Sequence, residues 1–267
     1  MQTGRMHTEL VSEPGDPAYP NEDFAAAALP ASGQGGTLVV LDGVTPPRGG
    51  TGCLHSVPWY TARLGGALTE LTVSLPDVPL QEALARAIAR TTEAHAATCD
   101  LSHPRTPQAT VVVARWGVER VEYLVLSDSA LLVESPDGVV ASLLDDRLSK
   151  LPRSSLATDA LVDSTLRNKE GGFFTAAADP SVAGRAVTGV LPRGDVRALL
   201  ALTDGATRWV EKFREGDWTD CFRFVRKEGA QALVDRVREL ERADAEERRY
   251  LRRSKTHDDA TVVYVGL

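Results

Sequence analysis

The chain has 267 residues, of which 43% are hydrophobic, so it is long enough and apolar enough to bury a substantial core. Its net charge of −7 disfavours non-specific nucleic-acid binding and makes cations attractive partners. No run approaches the ~18 apolar residues of a membrane span, and the N-terminal sequence MQTGRMHTEL lacks the apolar segment of a secretory signal. We therefore expect a cytoplasmic protein with neither a membrane nor a nucleic-acid partner, and its frequent Arg and Ala suggest a bacterial source.

The three cysteines, Cys53, Cys99 and Cys221, are scattered along the chain and form no Cys-x-x-Cys motif. Their odd number and wide spacing are typical of a protein from a reducing compartment. The pattern argues against a disulfide framework and against a zinc site built on thiolates.

The first strong element is an apolar run, TLVVLDG, that extends from Thr37 to Gly43 and predicts a buried strand. It ends in Asp42-Gly43, which places a carboxylate at the tip of the strand, a plausible metal or catalytic position. Upstream, a short strand is predicted around Thr8–Val11. Asn21-Glu22-Asp23 precedes the next apolar segment, and local rules favour a helix cap there over part of an ion site.

The middle of the chain begins with two predicted helices. One starts near Val57, with Pro58 in its first turn, and the other spans Leu80–Cys99 with apolar residues on one face. Four short strands then follow at close spacing, with Asp137-Gly138 as a hairpin signal. This spacing predicts an antiparallel meander of strands at Gln108–Arg115, Val121–Asp128, Ala130–Glu134 and Val139–Leu143.

In the last third of the chain, the predicted strands and helices alternate less regularly. Asp145–Lys169 is polar and predicted to be helical with loops, whereas Val196–Thr203 and Ala260–Val265 are predicted strands. Helices are predicted at Asp217–Val225 and Ala230–Tyr250. Because strands and helices fall into separate blocks, the fold class is α+β with antiparallel sheets.

Four carboxylate sites, at Asp42, Asp128, Asp204 and Asp258, lie at the ends of apolar runs, which suggests that these four share one edge of a sheet. The motifs, in chain order, are Asn21-Glu22-Asp23, Asp42-Gly43, Ser127-Asp128-Ser129, Thr203-Asp204-Gly205 and Asp258-Asp259-Ala260-Thr261. This series resembles that of the metal-dependent serine/threonine protein phosphatases of type 2C. The resemblance covers residues 21–267 and implies a single domain over 1–267, a four-layer α-β-β-α sandwich of two antiparallel sheets flanked by helices.

The resemblance also implies a centre for two Mn²⁺ or Mg²⁺ ions. By this likeness Asp42 would bridge both ions, the Gly43 carbonyl would bind one, and Asp204 and Asp258 would hold the other. Glu22 and Asp23 would act close by, directly or through water, and Asp128 would help hold a third, more weakly bound ion. Oxygen-only ligands suit such hard cations.

Three departures from the family pattern concern catalysis. No histidine follows Asp42-Gly43, so the candidate general acid is His55, the nearest downstream histidine. Ala18 stands where eukaryotic members place a phosphate-binding arginine, and we consider Arg252 as a substrate-binding substitute. Ser127 replaces the usual glycine before Asp128.

The sequence thus predicts a phosphomonoester hydrolase that removes phosphate from phosphoserine or phosphothreonine by attack of metal-activated water. Two alternatives stay open. The substrate could be a small phosphate ester rather than a phosphorylated protein, because the metal chemistry is the same. The chain could also be a catalytically inactive binding or regulatory module with the same fold.

Overall fold

The computed structural model describes residues 6–46, 49–247 and 256–267. Two five-stranded antiparallel sheets face each other. In spatial order, the first sheet contains β1 (His7–Glu13), β10 (Ala260–Gly266), β9 (Ala198–Leu202), β6 (Ala130–Glu134) and β7 (Val140–Leu144). The second contains β2 (Phe24–Ala28), β3 (Gly36–Leu41), β4 (Val111–Trp116), β5 (Arg120–Leu126) and β8 (Val187–Pro192).

Helices cover the outer face of each sheet. The second sheet is covered by α1 (Val57–Ser74) and α2 (Leu80–His95), and the first by α4 (Asp204–Glu211), α5 (Trp218–Glu228) and α6 (Ala230–Glu247). A short helix, α3 (Asp159–Thr165), lies in the long connection between β7 and β8. The predicted four-layer sandwich is therefore confirmed. Within the described ranges, no helix is both long and apolar enough to cross a membrane.

The buried strand β3 shows why the sheets need cover on both faces. Its side chains alternate, so Leu38 and Val40 enter the core between the sheets, whereas Val39 and Leu41 pack toward α1 and α2. A strand buried on both faces reads as a continuous apolar run, which is why TLVVL could be identified from the sequence.

The start of α1 follows the sequence prediction. Ser56 is the N-cap residue, and its hydroxyl accepts a hydrogen bond from the Trp59 backbone N–H over 3.3 Å. Pro58 lies in the first turn, where backbone N–H groups make no hydrogen bonds within the helix, so the lack of an N–H in proline costs nothing there. This cap fixes the direction in which the chain enters the helix.

The prediction of a helix cap at Asn21–Asp23 is wrong. These residues lead into strand β2, which pairs with β3 in the register Phe24↔Leu41. The alanines of β2 would favour a helix in isolation, but pairing with β3 overrides that preference. The acidic residues consequently lie beside the end of β3 instead of above a helix.

The predicted meander is also wrong in one respect. The strands β4 and β5 pair in the second sheet, whereas β6 and β7 pair in the first. The chain crosses between the sheets at residues 127–129, and Ser127 adopts a left-handed backbone conformation with φ of 69°. Asp128 therefore lies at the point where the chain changes sheets.

The expectation that excluded a disulfide is wrong as well. Cys53 and Cys99 are 46 residues apart in sequence, but their Cα atoms lie 4.3 Å apart and the two sulfurs are joined as a disulfide. Spacing along the chain gave no hint of this because the α1–α2 hairpin brings the start of one helix beside the end of the other. Cys221 is a free, buried thiol.

Candidate metal centre

A cavity of about 540 Å³ opens at one end of the sandwich and is lined by acidic side chains. Asp42 follows β3, Asp128 connects β5 to β6, Asp204 follows β9, and Asp258 precedes β10. Segments that border strands of both sheets thus meet at this cavity. The expectation that the four carboxylates share one edge of a single sheet is wrong, because β3 and β5 belong to one sheet and β9 and β10 to the other.

The backbone of Asp42 is held by Thr110, the residue just before β4. The Asp42 N–H donates a hydrogen bond to Thr110 Oγ1 over 3.2 Å, and the Thr110 N–H donates to the Asp42 carbonyl over 2.9 Å. The Thr110 hydroxyl also lies 2.6 Å from Ser129 Oγ. These contacts leave the Asp42 carboxylate directed to the cavity, where the Asp204 N–H approaches Oδ2 at 3.5 Å.

The carboxylates of the cavity repel one another. Burial, followed by the charge of Asp204, raises the pKa of Asp42 well above its usual range. Burial, followed by the charge of Asp258, does the same to the pKa of Asp204. Such a group of oxygen donors is electrostatically unfavourable until a cation neutralises it.

Asp23 lies behind these residues, and only one of its two carboxylate oxygens accepts hydrogen bonds from described residues. Its Oδ2 accepts hydrogen bonds from the hydroxyls of Thr203 at 2.9 Å and Thr261 at 2.6 Å. Its Oδ1 is buried without a hydrogen-bond partner in the described part of the chain. Burial raises the pKa of Asp23 to about 7. The orphaned oxygen and the all-oxygen donor set fit hard divalent cations such as Mn²⁺ or Mg²⁺.

One arginine offsets part of this negative charge. The Arg208 guanidinium lies 2.8 Å from Asp258 Oδ2 and also pairs with Glu241, whose side chain is fully buried. Because Arg208 is on α4 and Asp258 precedes β10, this contact fixes the position of Asp258 relative to Asp204 at the start of α4.

Gly43 occupies a place that admits no side chain. A Cβ atom there would lie 2.4 Å from Val57 Cγ1 and 2.5 Å from the Glu22 carbonyl oxygen. Glu22 is thus adjacent to Gly43, and its carboxylate accepts a hydrogen bond from Thr45, which lines the cavity.

Asp259, next to Asp258, ties the two ends of the described chain together. Its carboxylate accepts hydrogen bonds from the Gly15 N–H at 2.8 Å and the Glu22 N–H at 2.7 Å. Asp259 therefore has a structural role beside a candidate ligand, a division that the adjacent aspartates alone did not reveal.

Asp128 is held by residues on either side of the sheet crossing. The Ser127 N–H donates to Asp145 Oδ2 over 2.8 Å, and the Ser127 hydroxyl donates to Asp128 Oδ1 over 3.0 Å. Asp145 in turn pairs with Arg147 at 2.6 Å. Burial raises the pKa of Asp128, while the nearby Arg167 opposes that rise.

Comparison with known protein families gives a match over most of the chain. The family model described as "Protein phosphatase 2C" matches residues 18–238. The chain belongs to the protein phosphatase 2C family. A search of curated protein sequences found no match.

Solved structures of this family share the fold. Serine-threonine phosphatase 2C from Toxoplasma gondii aligns over 100% of this chain and 96% of its own, with a TM-score of 0.63 and 14% identity. Serine/threonine phosphatase Stp1 from Staphylococcus aureus aligns over 98% and 95%, with a TM-score of 0.61 and 13% identity. The Mycobacterium tuberculosis phosphatase PstP/Ppp aligns over 98% of both chains, with a TM-score of 0.59 and 17% identity.

One predicted site residue of this phosphatase 2C chain, His55, lies away from the cavity. His55 is not among the residues that line the cavity, and its Nδ1 lies 3.4 Å from Cys99 Sγ. Its position gives no support to a role as general acid. Arg252 lies outside the described residues.

Two arginines that the sequence did not single out line the cavity. Arg105 pairs with Asp163 at 2.6 Å, and Arg167 pairs with the same carboxylate at 3.3 Å. Both remain partly exposed, with 24% and 19% of their side chains accessible. No motif marks them, because Arg105 follows α2 in a loop and Arg167 lies in the irregular connection after α3.

Proposed function

We propose that the chain is an active Mn²⁺- or Mg²⁺-dependent phosphatase that hydrolyses phosphoserine and phosphothreonine in proteins. The observation that carries this proposal is the convergence of the Asp42, Asp128, Asp204 and Asp258 carboxylates on one cavity. Membership of the protein phosphatase 2C family supports the reaction class. A chain that retained only the fold would have no need for so costly a group of mutually repelling acids.

The proposed ligands follow from position. Asp42, the Gly43 carbonyl, Asp204 and Asp258 would hold two ions, and Asp128 would help hold a third. Glu22 and Asp23 lie behind them and would act directly or through water. Bound Mn²⁺ or Mg²⁺ would supply an acidified water as the nucleophile and positive charge for the phosphoryl oxygens.

The chain's own cations would orient the phosphate. Ala18 cannot do so, but Arg105 and Arg167 reach the cavity from two different segments. Both share Asp163, which keeps them in place and leaves N–H donors for phosphate oxygens. We assign phosphate binding to these two arginines.

Protonation of the leaving group falls to solvent water in this proposal. Among the described residues that line the cavity there is no histidine. Serine and threonine alkoxides are poor leaving groups, so activity on phosphoserine should depend on proton supply more than activity on an aryl phosphate. The comparison of the two substrates tests this assignment.

The first experiment is hydrolysis of p-nitrophenyl phosphate in EDTA, Mg²⁺ and Mn²⁺ in turn. We expect turnover only with metal, and its loss in Asp42→Asn and Asp204→Asn. Asp77→Asn is the matched control, because Asp77 is exposed and lies in the α1–α2 connection, away from the cavity. Phosphoserine and phosphothreonine peptides are then compared with small phosphate esters.

Two outcomes would change the proposal. A folded protein without turnover in any metal would favour the inactive binding module. Turnover of small esters with none of the phosphopeptides would retain the metal chemistry but replace the substrate class.

A further inference from the structure

A cluster of two cysteines and two histidines lies outside the acidic cavity. Cys53 and His55 are in the loop before α1, His95 is the last residue of α2, and Cys99 follows it by about one helical turn. None of the four lines the cavity. The cluster is therefore separate from the candidate Mn²⁺ or Mg²⁺ centre.

The ligand atoms of these four residues are close enough to share one ion. All four atoms lie within 4.8 Å of one another. Cys53 Sγ is 3.7 Å from His55 Nδ1 and 3.6 Å from His95 Nδ1, and His55 Nδ1 is 3.4 Å from Cys99 Sγ. Tetrahedral zinc, with bonds of about 2.3 Å to sulfur and about 2.0 Å to nitrogen, places sulfur and nitrogen ligands roughly 3.6 Å apart.

The sulfurs also have the hydrogen-bond donors that a thiolate needs. The Leu54 N–H donates to Cys99 Sγ over 3.4 Å, and the His55 N–H donates to Cys53 Sγ over 3.4 Å. Donors directed at a sulfur favour its charged form. A disulfide has no negative charge for such donors to stabilise.

The histidines are the feature that a disulfide leaves unexplained. The bond between Cys53 and Cys99 involves neither ring, yet both Nδ1 atoms face the sulfurs. His95 is only 2% exposed, and its Nε2 has no hydrogen-bond partner in the described ranges. The polar contacts of this ring therefore lie on the side of the cluster.

We propose that, with the cysteines reduced, Cys53, His55, His95 and Cys99 bind one Zn²⁺ ion in a Cys₂His₂ site. Four protein ligands fill the tetrahedral shell, so the site is structural and leaves no position for substrate. Thiolate and imidazole ligands select zinc, whereas the all-oxygen cavity selects Mn²⁺ or Mg²⁺. The disulfide and the zinc site use the same sulfurs and therefore exclude each other.

The location of the ion gives it a role at the cavity. Cys99 begins a loop in which the Asp100 N–H donates to the Gly52 carbonyl over 2.6 Å and the Arg105 N–H donates to His103 Nδ1 over 3.1 Å. That loop delivers Arg105 to the cavity. Zinc would fix the loop to the start of α1 and thereby hold Arg105 in position.

The decisive test measures metal and thiols together. The protein is purified under reducing conditions without added metal, its zinc is measured by elemental analysis, and its thiols are counted after denaturation. We expect one zinc per chain and all three cysteines as free thiols. Titration of the zinc-free protein with Co²⁺, in Mg²⁺ that saturates the acidic cavity, should give a thiolate-to-cobalt charge-transfer band. The band should saturate at one equivalent and disappear on adding Zn²⁺.

Histidine variants distinguish zinc from a disulfide, because a disulfide does not need the imidazoles. His55→Asn and His95→Asn should each lose the zinc and the cobalt band while keeping three thiols. Two controls outside the cluster should keep both, namely His7→Asn at an exposed strand residue and Cys221→Ala at the free buried thiol. Circular dichroism checks that each variant is folded.

Several results would overturn the proposal. Absence of zinc with one free thiol would identify a disulfide alone, and absence of zinc with three free thiols would identify a hydrogen-bonded cluster. Zinc retained by both histidine variants would place the metal elsewhere. The cobalt titration of the unmodified chain decides the matter even if a variant fails to fold.

Discussion

The Arg208 guanidinium contacts Asp258 at 2.8 Å and pairs with the buried carboxylate of Glu241. One side chain on α4 thus connects a candidate metal ligand to α6. Arg208 itself is only 7% exposed, so water screens these interactions weakly. The position of Asp258 at the cavity depends on this arginine.

Replacing Arg208 should damage both stability and metal binding. Arg208→Met removes the contact to Asp258, whereas Glu241 keeps Arg238 and His257, each at 2.8 Å. We therefore expect a loss of about 1–3 kcal/mol in the free energy of unfolding. The Mn²⁺ concentration at half-maximal activity should also rise. Urea denaturation and metal titration measure the two effects.

Arg236→Met is the control for Arg208→Met. Arg236 pairs with Glu215 at 2.6 Å, but its side chain is 40% exposed, so its loss should cost under about 1 kcal/mol. Equal effects of the two substitutions would contradict the positioning role of Arg208.

The metal-free protein should become less stable as pH rises. Burial raises the pKa of Asp23 from 3.8 to about 7, so the folded protein binds more protons than the unfolded chain between these values. Its free energy of unfolding should therefore fall as pH increases from about 4 to about 7. Urea midpoints measured in EDTA across this range check the sign, and saturating Mn²⁺ should reverse the decline.

Asp23→Asn removes one source of this pH dependence. The substituted amide carries no charge at any pH, so the slope should become smaller, while the raised pKa values of Asp42 and Asp204 preserve some of it. A midpoint in EDTA that rises with pH in the unmodified protein would contradict the electrostatic description of the cavity.

Ser127 should be a site of backbone strain. Its φ of 69° is unfavourable for a residue with a Cβ atom by roughly 1–2 kcal/mol. Ser127→Ala and Ser127→Gly both lose the hydrogen bond to Asp128, but only glycine relieves the strain. We expect the glycine variant to be more stable than the alanine variant by about 1 kcal/mol in urea denaturation. Both variants keep the backbone hydrogen bond to Asp145, so equal stability would contradict strain at this residue.

The two cavity arginines should control substrate affinity. Arg105→Met and Arg167→Met each remove a charge-assisted contact, so the KM for p-nitrophenyl phosphate should rise about tenfold. Arg153→Met, at an exposed residue that does not line the cavity, serves as the control. A fall in kcat with unchanged KM would instead assign these arginines to the transition state.

The layers of the fold could be predicted because local patterns dominate there. The TLVVL run is buried on both faces in β3, and Pro58 marks the first turn of α1, so sequence and structure agree. The acidic motifs could also be located, because each one borders an apolar strand.

Features that depend on distant contacts could not be predicted in the same way. The β5–β6 connection resembles a hairpin in sequence, but its strands belong to different sheets, a difference decided by packing in the core. The approach of Cys53 to Cys99 depends on how α1 and α2 pair. Arg105 and Arg167 reach the cavity from two separate loops, one after α2 and one after α3. These residues carry no spacing rule that identifies their partners.

The hydrogen bond from the Glu22 N–H to Asp259 joins residues that are 237 positions apart. Asp23 similarly receives the Thr261 hydroxyl. Bringing two such distant segments together is slow, because the chain loses conformational entropy before the stabilising contacts between them form. During synthesis the acidic cavity cannot be completed until the residues around Asp258 have left the ribosome, so a nascent chain would carry Asp42 and Asp204 without their partners. The acidic cavity would then form late in the folding of each molecule.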